Sequence, residues 1–165
     1  MPPVKKITAL PVDAPQRRRL PPLLRQAWYG LNQEFRSLIA HLHLTPDQFT
    51  VLRVLLESDQ SGITQRELTR AMSSDPNTVA SLLGRMEKAG LVRRRPHEMD
   101  RRAYRIIPRP EGVERYQKAR AIAVRLQTEV LSCLPPSKRE EFLSHLAQVA
   151  EAISLRVQAR KLRKG

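Results

Sequence analysis

The chain of 165 residues carries a single cysteine, Cys133, so no intrachain disulfide can form and small disulfide scaffolds are excluded. One thiol fits a reducing compartment. Apolar runs approaching the roughly 18 residues of a membrane helix are missing, and the opening stretch MPPVKKITALPVDAP has no apolar secretory core. These absences predict a soluble, cytoplasmic protein with no membrane partner. Metal ligands are not clustered: His41 and His43 fall two apart at a helix end, pointing about 200° from each other, while His97 and His145 are isolated. Neither a Ser/His/Asp order, nor a glycine phosphate loop, nor a catalytic pair of carboxylates stands out, so neither an enzyme nor a cofactor is expected.

Acidic residues are scarce too. Asp and Glu number 16 against 30 Lys and Arg, for a formal net charge of +14 and a pI of about 11.1. The excess is concentrated. Residues 1–25 hold six Lys and Arg against Asp13, residues 156–165 hold five with no acid, and residues 93–109 hold seven Arg against Glu98 and Asp100. The rest of the chain is close to neutral, and this distribution is the footprint of a polyanion binder. RRRPHEMDRRAYRI, residues 93–106, sets Arg93, Arg94, Arg95, Arg101, Arg102 and Arg105 close together. Their mutual repulsion calls for a negative partner outside the chain.

Prolines at 2, 3, 11 and 15 make residues 1–19 a flexible basic leader, either a solubilising segment or an arm that touches DNA. From Pro21 and Pro22, Leu24, Trp28, Leu31, Phe35, Leu38 and Leu42 recur at alternating spacings of four and three, one apolar stripe along a long helix. LTPDQFTVLRVLLES starts a second helix, with Thr45 as N-cap, Pro46 in the first turn and Gln48 completing a capping box. After Gly62, Ile63 marks a very short strand, and TQREL repeats the box with Thr64 and Glu67 ahead of Leu68, Ala71 and Met72 on a buried side. Asp75 and Pro76 open a further helix that stops at Gly90. LVRRR and AYRII read as two strands around PHEMDRR. Val113 to about Ser132 is a long helix; Pro135 and Pro136 break it, and Phe142, Leu146, Val149, Ile153 and Val157 mark the last one. Helix, helix, short helix, helix, hairpin, helix, helix describes a mostly α winged helix-turn-helix.

The helix from Pro76 is the candidate reader. At about 100° per residue, Val79, Leu82, Leu83 and Met86 share an inner arc, while Asn77, Thr78, Ser81, Arg85 and Lys88 lie opposite with Gly84. Small hydrogen-bonding groups followed by cations suit a helix whose start meets base edges in a major groove. Ser74, just ahead of it, belongs to the same candidate set. The hairpin alongside would reach the adjacent minor groove, with Arg93, Arg94 and Arg95 on its stem meeting phosphates and Asp100 orienting Arg102. Arg101 completes the wing set.

LTPDQFTVLRVL, GITQRELTRAM and DPNTVASLLGRMEKAGLVRRRPHEMDRRAYRIIPRPEG closely resemble the MarR family of bacterial transcription regulators over about residues 44–118, and the flanking helices do so by pattern. The resemblance implies a recognition helix reading through Asn77, Thr78, Ser81 and Arg85, and a wing whose Asp-x-Arg element is Asp100 and Arg102. It departs at IPRPEG, which keeps Gly112 but has prolines where the family has Leu-Thr, so the junction between wing and next helix is expected to differ. It also implies a homodimer on double-stranded DNA. On that reading residues 20–44 and 111–160 form a helical dimerisation region, 45–110 the winged domain and 161–165 a basic tail. A small aromatic or acidic ligand would then be lined by Trp28, Tyr29, His41 and Arg53. Family thiol sensors use the first helix, so Cys133, at the far end of the fifth, is expected to be a buried structural thiol. The competing class is a sequence-indifferent architectural DNA binder exploiting the basic tails.

Replacing Arg102 with alanine is predicted to weaken operator binding by about 1 to 3 kcal/mol without unfolding the protein. An operator titration at physiological salt that gives unchanged affinity refutes the wing assignment.

Overall fold

A computed structural model describes residues 14–15, 17–58, 61–100 and 103–163. Helix α1 is Leu20–Ile39, with Pro21 and Pro22 in the first turn, where a missing amide leaves no bond unmade. A single 3-10 turn, Ala40–Leu42, and His43 in the left-handed region (φ 50°) redirect the chain. Helix α2, Pro46–Glu57, closes its capping box in both directions: the Gln48 amide donates to Thr45 Oγ1 at 3.3 Å and the Thr45 amide to Gln48 Oε1 at 2.9 Å. Strand β1, Ile63–Thr64, leads into helix α3, Gln65–Ala71, where Thr64 and Glu67 repeat that box. Helix α4 is Pro76–Lys88, capped by Asp75, and Gly90 ends it at φ 71°. Strands β2, Val92–Pro96, and β3, Tyr104–Pro108, precede helices α5, Pro110–Leu131, and α6, Pro136–Leu162. The mostly helical winged helix-turn-helix expected from the sequence is the fold observed.

The chain forms two compact units, divided between Ile122 and Ala123 within α5. In the first, β1 joins the hairpin on the free edge of β3, giving an antiparallel sheet of order β1-β3-β2 with Ile63 opposite Ile106. Its core is aliphatic: Ile39, Leu52, Leu68, Leu83, Met86, Leu91, Val92 and Ile106 are fully buried. Every residue assigned to the inner arc of α4 is there. On α3 only Leu68 of the three expected residues is fully buried; Met72 is half-buried and Ala71 exposed, because a helix of 7 residues gives one short face to the core. Phe49 of α2 meets Phe35 of α1 edge-on (4.9 Å) and stacks on Tyr116 of α5 (5.2 Å), binding three helices at one point.

The altered junction is compact. Pro108 ends β3 and Pro110 opens α5 at a position that needs no donor, leaving Arg109 between them. The Arg109 amide donates to the Leu91 carbonyl at 2.9 Å. Gly112 lies against that same carbonyl, and a methyl group there would overlap it and come within 3.0 Å of Leu52 Cδ2. The glycine is therefore required by close approach.

In the second unit, Phe142, Leu146, Ile153 and Val157 of the expected α6 stripe are exposed and Val149 is half-buried. Cys133 is exposed, not buried as expected, since α5 ends at Leu131 and the thiol falls in the turn that follows. Among the described residues no helix is long and apolar enough to cross a membrane.

Gly112→Ala is expected to destabilise the fold by about 1 to 3 kcal/mol through overpacking against backbone that cannot yield. Urea unfolding measures it, and a midpoint equal to that of the parent rules out the close-approach role.

Candidate nucleic-acid interface

Asp75 builds the start of α4, accepting from the amides of Asn77 at 3.1 Å and Thr78 at 2.9 Å. The Thr78 hydroxyl and then its amide hold the Asp75 carboxyl below the usual carboxylate range. Thr78, expected at a base edge, thus also serves its own helix cap, and its oxygen remains an acceptor. Ser73 turns the chain in the left-handed region (φ 50°), and Ser74, Asn77, Thr78, Ser81, Arg85 and Lys88 are all exposed, as the wheel requires. A methyl group built on Gly84 meets nothing within 4 Å, so this part of the outer face is open to approach. Arg85 borders a small concavity of about 290 Å³ with Arg36, Asp47 and Gln48, on the side of α1 and α2.

The hairpin register places Arg94 opposite Ile106 and Arg95 directly opposite Arg105. Like charges so placed repel. Glu98 resolves this: its carboxylate pairs with Arg105 Nε at 2.8 Å and with Arg95 Nη2. The same guanidiniums reach back to carbonyls, Arg95 to Ser61 at 3.3 Å and Arg105 to Gly62 at 2.9 Å, so the stem is fastened to the approach to β1. Arg94 pairs with Glu87 of α4 at 3.3 Å, tying wing to reader. Part of the repulsion that seemed to need an external anion is therefore offset within the chain. Arg93 is exposed and makes no ion pair among the described residues. Asp100 is exposed at the end of the loop, while Arg101 and Arg102 lie outside the described residues, and the proposed orienting of Arg102 with them.

A larger groove of about 740 Å³ separates α3 from the hairpin, with Arg66 and Arg70 on one wall and Arg94 and Asp100 on the other. Arg66 and Arg70 escaped the sequence reading; their spacing of four on an exposed helix face was the available signal. Glu98 was also missed. It becomes conspicuous only once the register sets two arginines against each other. Trp28, Tyr29, His41 and Arg53 are all exposed, and none lines either concavity.

The arginine brace holds Glu98 down at about 2, first through the hydrogen bond from Arg105. A carboxyl depressed below its ordinary 4.5 contributes fully above that value and loses its contribution as pH falls through about 2. The brace is thus intact at any physiological pH.

A reader helix with its outer face bare, beside a fastened cationic hairpin, defines a winged helix-turn-helix DNA-binding transcription regulator. The sequence model described as MarR family matches residues 43–103. The transcriptional regulator HosA of Escherichia coli O111:H- is 30% identical over 135 residues, 79% of this chain and 98% of that protein. The HTH-type transcriptional regulator TtmR of Methylorubrum extorquens is 35% identical over 86 residues, 52% of this chain and 43% of that one. Among solved structures, the S. aureus MepR-DNA complex superposes with a TM-score of 0.76 over 82% of this chain and 99% of that one, at 20% identity, a likeness of fold. The repressor CouR bound to a 23-mer DNA duplex gives 0.71 at 26% identity, over 78% and 89% of the two chains. The chain belongs to the MarR family, whose members here are transcription regulators and not enzymes.

Glu98→Gln is expected to loosen the hairpin. The His97 amide, which donates to the Ala103 carbonyl at 3.0 Å, exchanges faster with solvent in the variant, while amides of the buried α4 face keep their protection. Equal His97 exchange in both proteins sinks the brace.

Proposed function

We propose that the protein is a sequence-specific repressor, acting as a homodimer on a pseudo-palindromic operator and released by a small aromatic or acidic ligand. The observation that carries the DNA reading is the exposed polar face of α4 in one compact unit with the cationic hairpin. Asn77, Ser81 and Thr78 face base edges, while Arg93 and the wing residues Arg101 and Arg102 meet the sugar-phosphate wall and the adjacent minor groove. Repression is said of CouR, and family membership supports carrying it here.

The dimer reading is supported by apolar surface that the chain leaves uncovered. Leu20, Leu23, Trp28, Tyr29 and Leu31 of α1 are exposed, as are Phe142, Ile153 and Leu155 of α6. Patches of this kind mark protein contacts. Residues 20–44 and 111–160 form the dimer region, 45–110 the reading domain, and the leader 1–19 and tail 161–165 add non-specific attraction to DNA. Two subunits related by a twofold axis place their readers on half-sites one helical turn apart. Trp28, Tyr29, His41 and Arg53 are the ligand contacts of this reading, and the protein works in the cytoplasm.

A competition assay separates this from architectural binding. Sequence-specific control predicts a preference for the selected operator over random duplex of at least about a thousandfold, with two chains per duplex. Equal affinity for all duplexes establishes the architectural alternative.

A further inference from the structure

We propose that His97 is a positioning residue of the wing: its neutral ring caps the loop leading into Arg101 and Arg102, and proton uptake by the ring loosens the wing's grip on DNA. This rests on the DNA-binding reading above. Nδ1 of His97 accepts from two successive backbone amides, Met99 at 3.2 Å and Asp100 at 3.3 Å. The loop is otherwise closed by backbone bonds, from the His97 amide to Ala103 and from the Ala103 amide to Asp100, each 3.0 Å. Apolar packing does not hold it, since the Met99 side chain is 91% exposed. The neighbouring Glu98 is committed to Arg95 and Arg105. His97 is the side chain that ties the far turn of the loop to the strand.

An imidazole nitrogen accepts only while it carries no proton; in the imidazolium both nitrogens donate. Protonation at Nδ1 would set an N–H against two N–H groups, and the ring must swing away. Histidine is the side chain that changes charge between about pH 5 and pH 8. The ring borders the groove where Arg66, Glu67 and Arg70 of α3, Arg94 of β2, Tyr104 of β3 and Asp100 of its own loop face it. Three guanidiniums oppose a charged ring; Asp100 favours it, and Glu67 is engaged by Thr64. The two roles open to the residue differ in sign. A histidine that merely adds charge beside phosphates strengthens binding on acidification. A histidine that caps the loop weakens it.

The test uses the full chain and a duplex enriched by the protein from a random-sequence pool, titrated by fluorescence anisotropy from about pH 8 to about pH 5.5. Affinity of the parent protein falls about five- to tenfold towards acid, the scale of one or two backbone hydrogen bonds. His97→Asn, whose side-chain oxygen accepts at every pH, keeps the alkaline affinity throughout, and His97→Ala stays at the acid value throughout. In the free protein, the amide resonances of Met99 and Asp100 move together with the His97 ring. Binding that tightens with acid, or an asparagine variant that follows the parent curve, overturns the proposal. Amides indifferent to the ring overturn the cap itself. A titrating cap in a protein that binds no duplex at any pH overturns the DNA-binding reading instead, and with it the consequence for binding.

Discussion

The wing depends on one carboxylate shared between two guanidiniums. Antiparallel pairing sets Arg95 and Arg105 face to face, an arrangement that on its own separates strands. Glu98 turns the repulsion into a bridge, and the carbonyls of Ser61 and Gly62 take the remaining donors. Such exposed pairs stabilise little in isolation. Here three groups from three places in the chain are connected, and their effect is to define a shape. The hairpin emerges in one direction, with Arg94 fixed to α4 through Glu87, and the exposed Arg93 remains for contacts beyond the protein.

The reader helix separates its tasks by face. Val79, Leu82, Leu83 and Met86 anchor it in an aliphatic core, and Asp75 satisfies the amides that would otherwise be bare at its start. No outward residue is needed for packing, so Asn77, Ser81 and Lys88 are available to whatever approaches. That division allows the polar face to vary among related regulators without disturbing the fold.

Much of this was legible from the residues. Both capping boxes, the proline-led starts of three helices and the left-handed stop at Gly90 are local devices, and local chemistry decides them. The inner arc of α4 is periodic, and periodicity survives folding. What escaped reading was whatever depends on register or on contacts distant in sequence. Glu98 looked like one acid lost among arginines until the strands were aligned. Arg95 and Arg105 were read as surplus charge when they are half-buried braces. The union of β1 with the hairpin could not be inferred from the two residues Ile63 and Thr64. Cys133 was misplaced because a turn begins just before it, and the apolar stripe of α1 signalled a contact surface that this chain alone does not cover.

The carbonyl of Leu91 is a meeting point. It lies between the end of α4 and the start of β2, accepts the amide of Arg109, and has Gly112 seated upon it. Reader, wing and the first turn of α5 are therefore riveted through one peptide group. None of the three can pivot alone. Retuning such a regulator to an operator of different half-site spacing must be achieved farther along the helical scaffold, because the reading head moves as a single rigid tool.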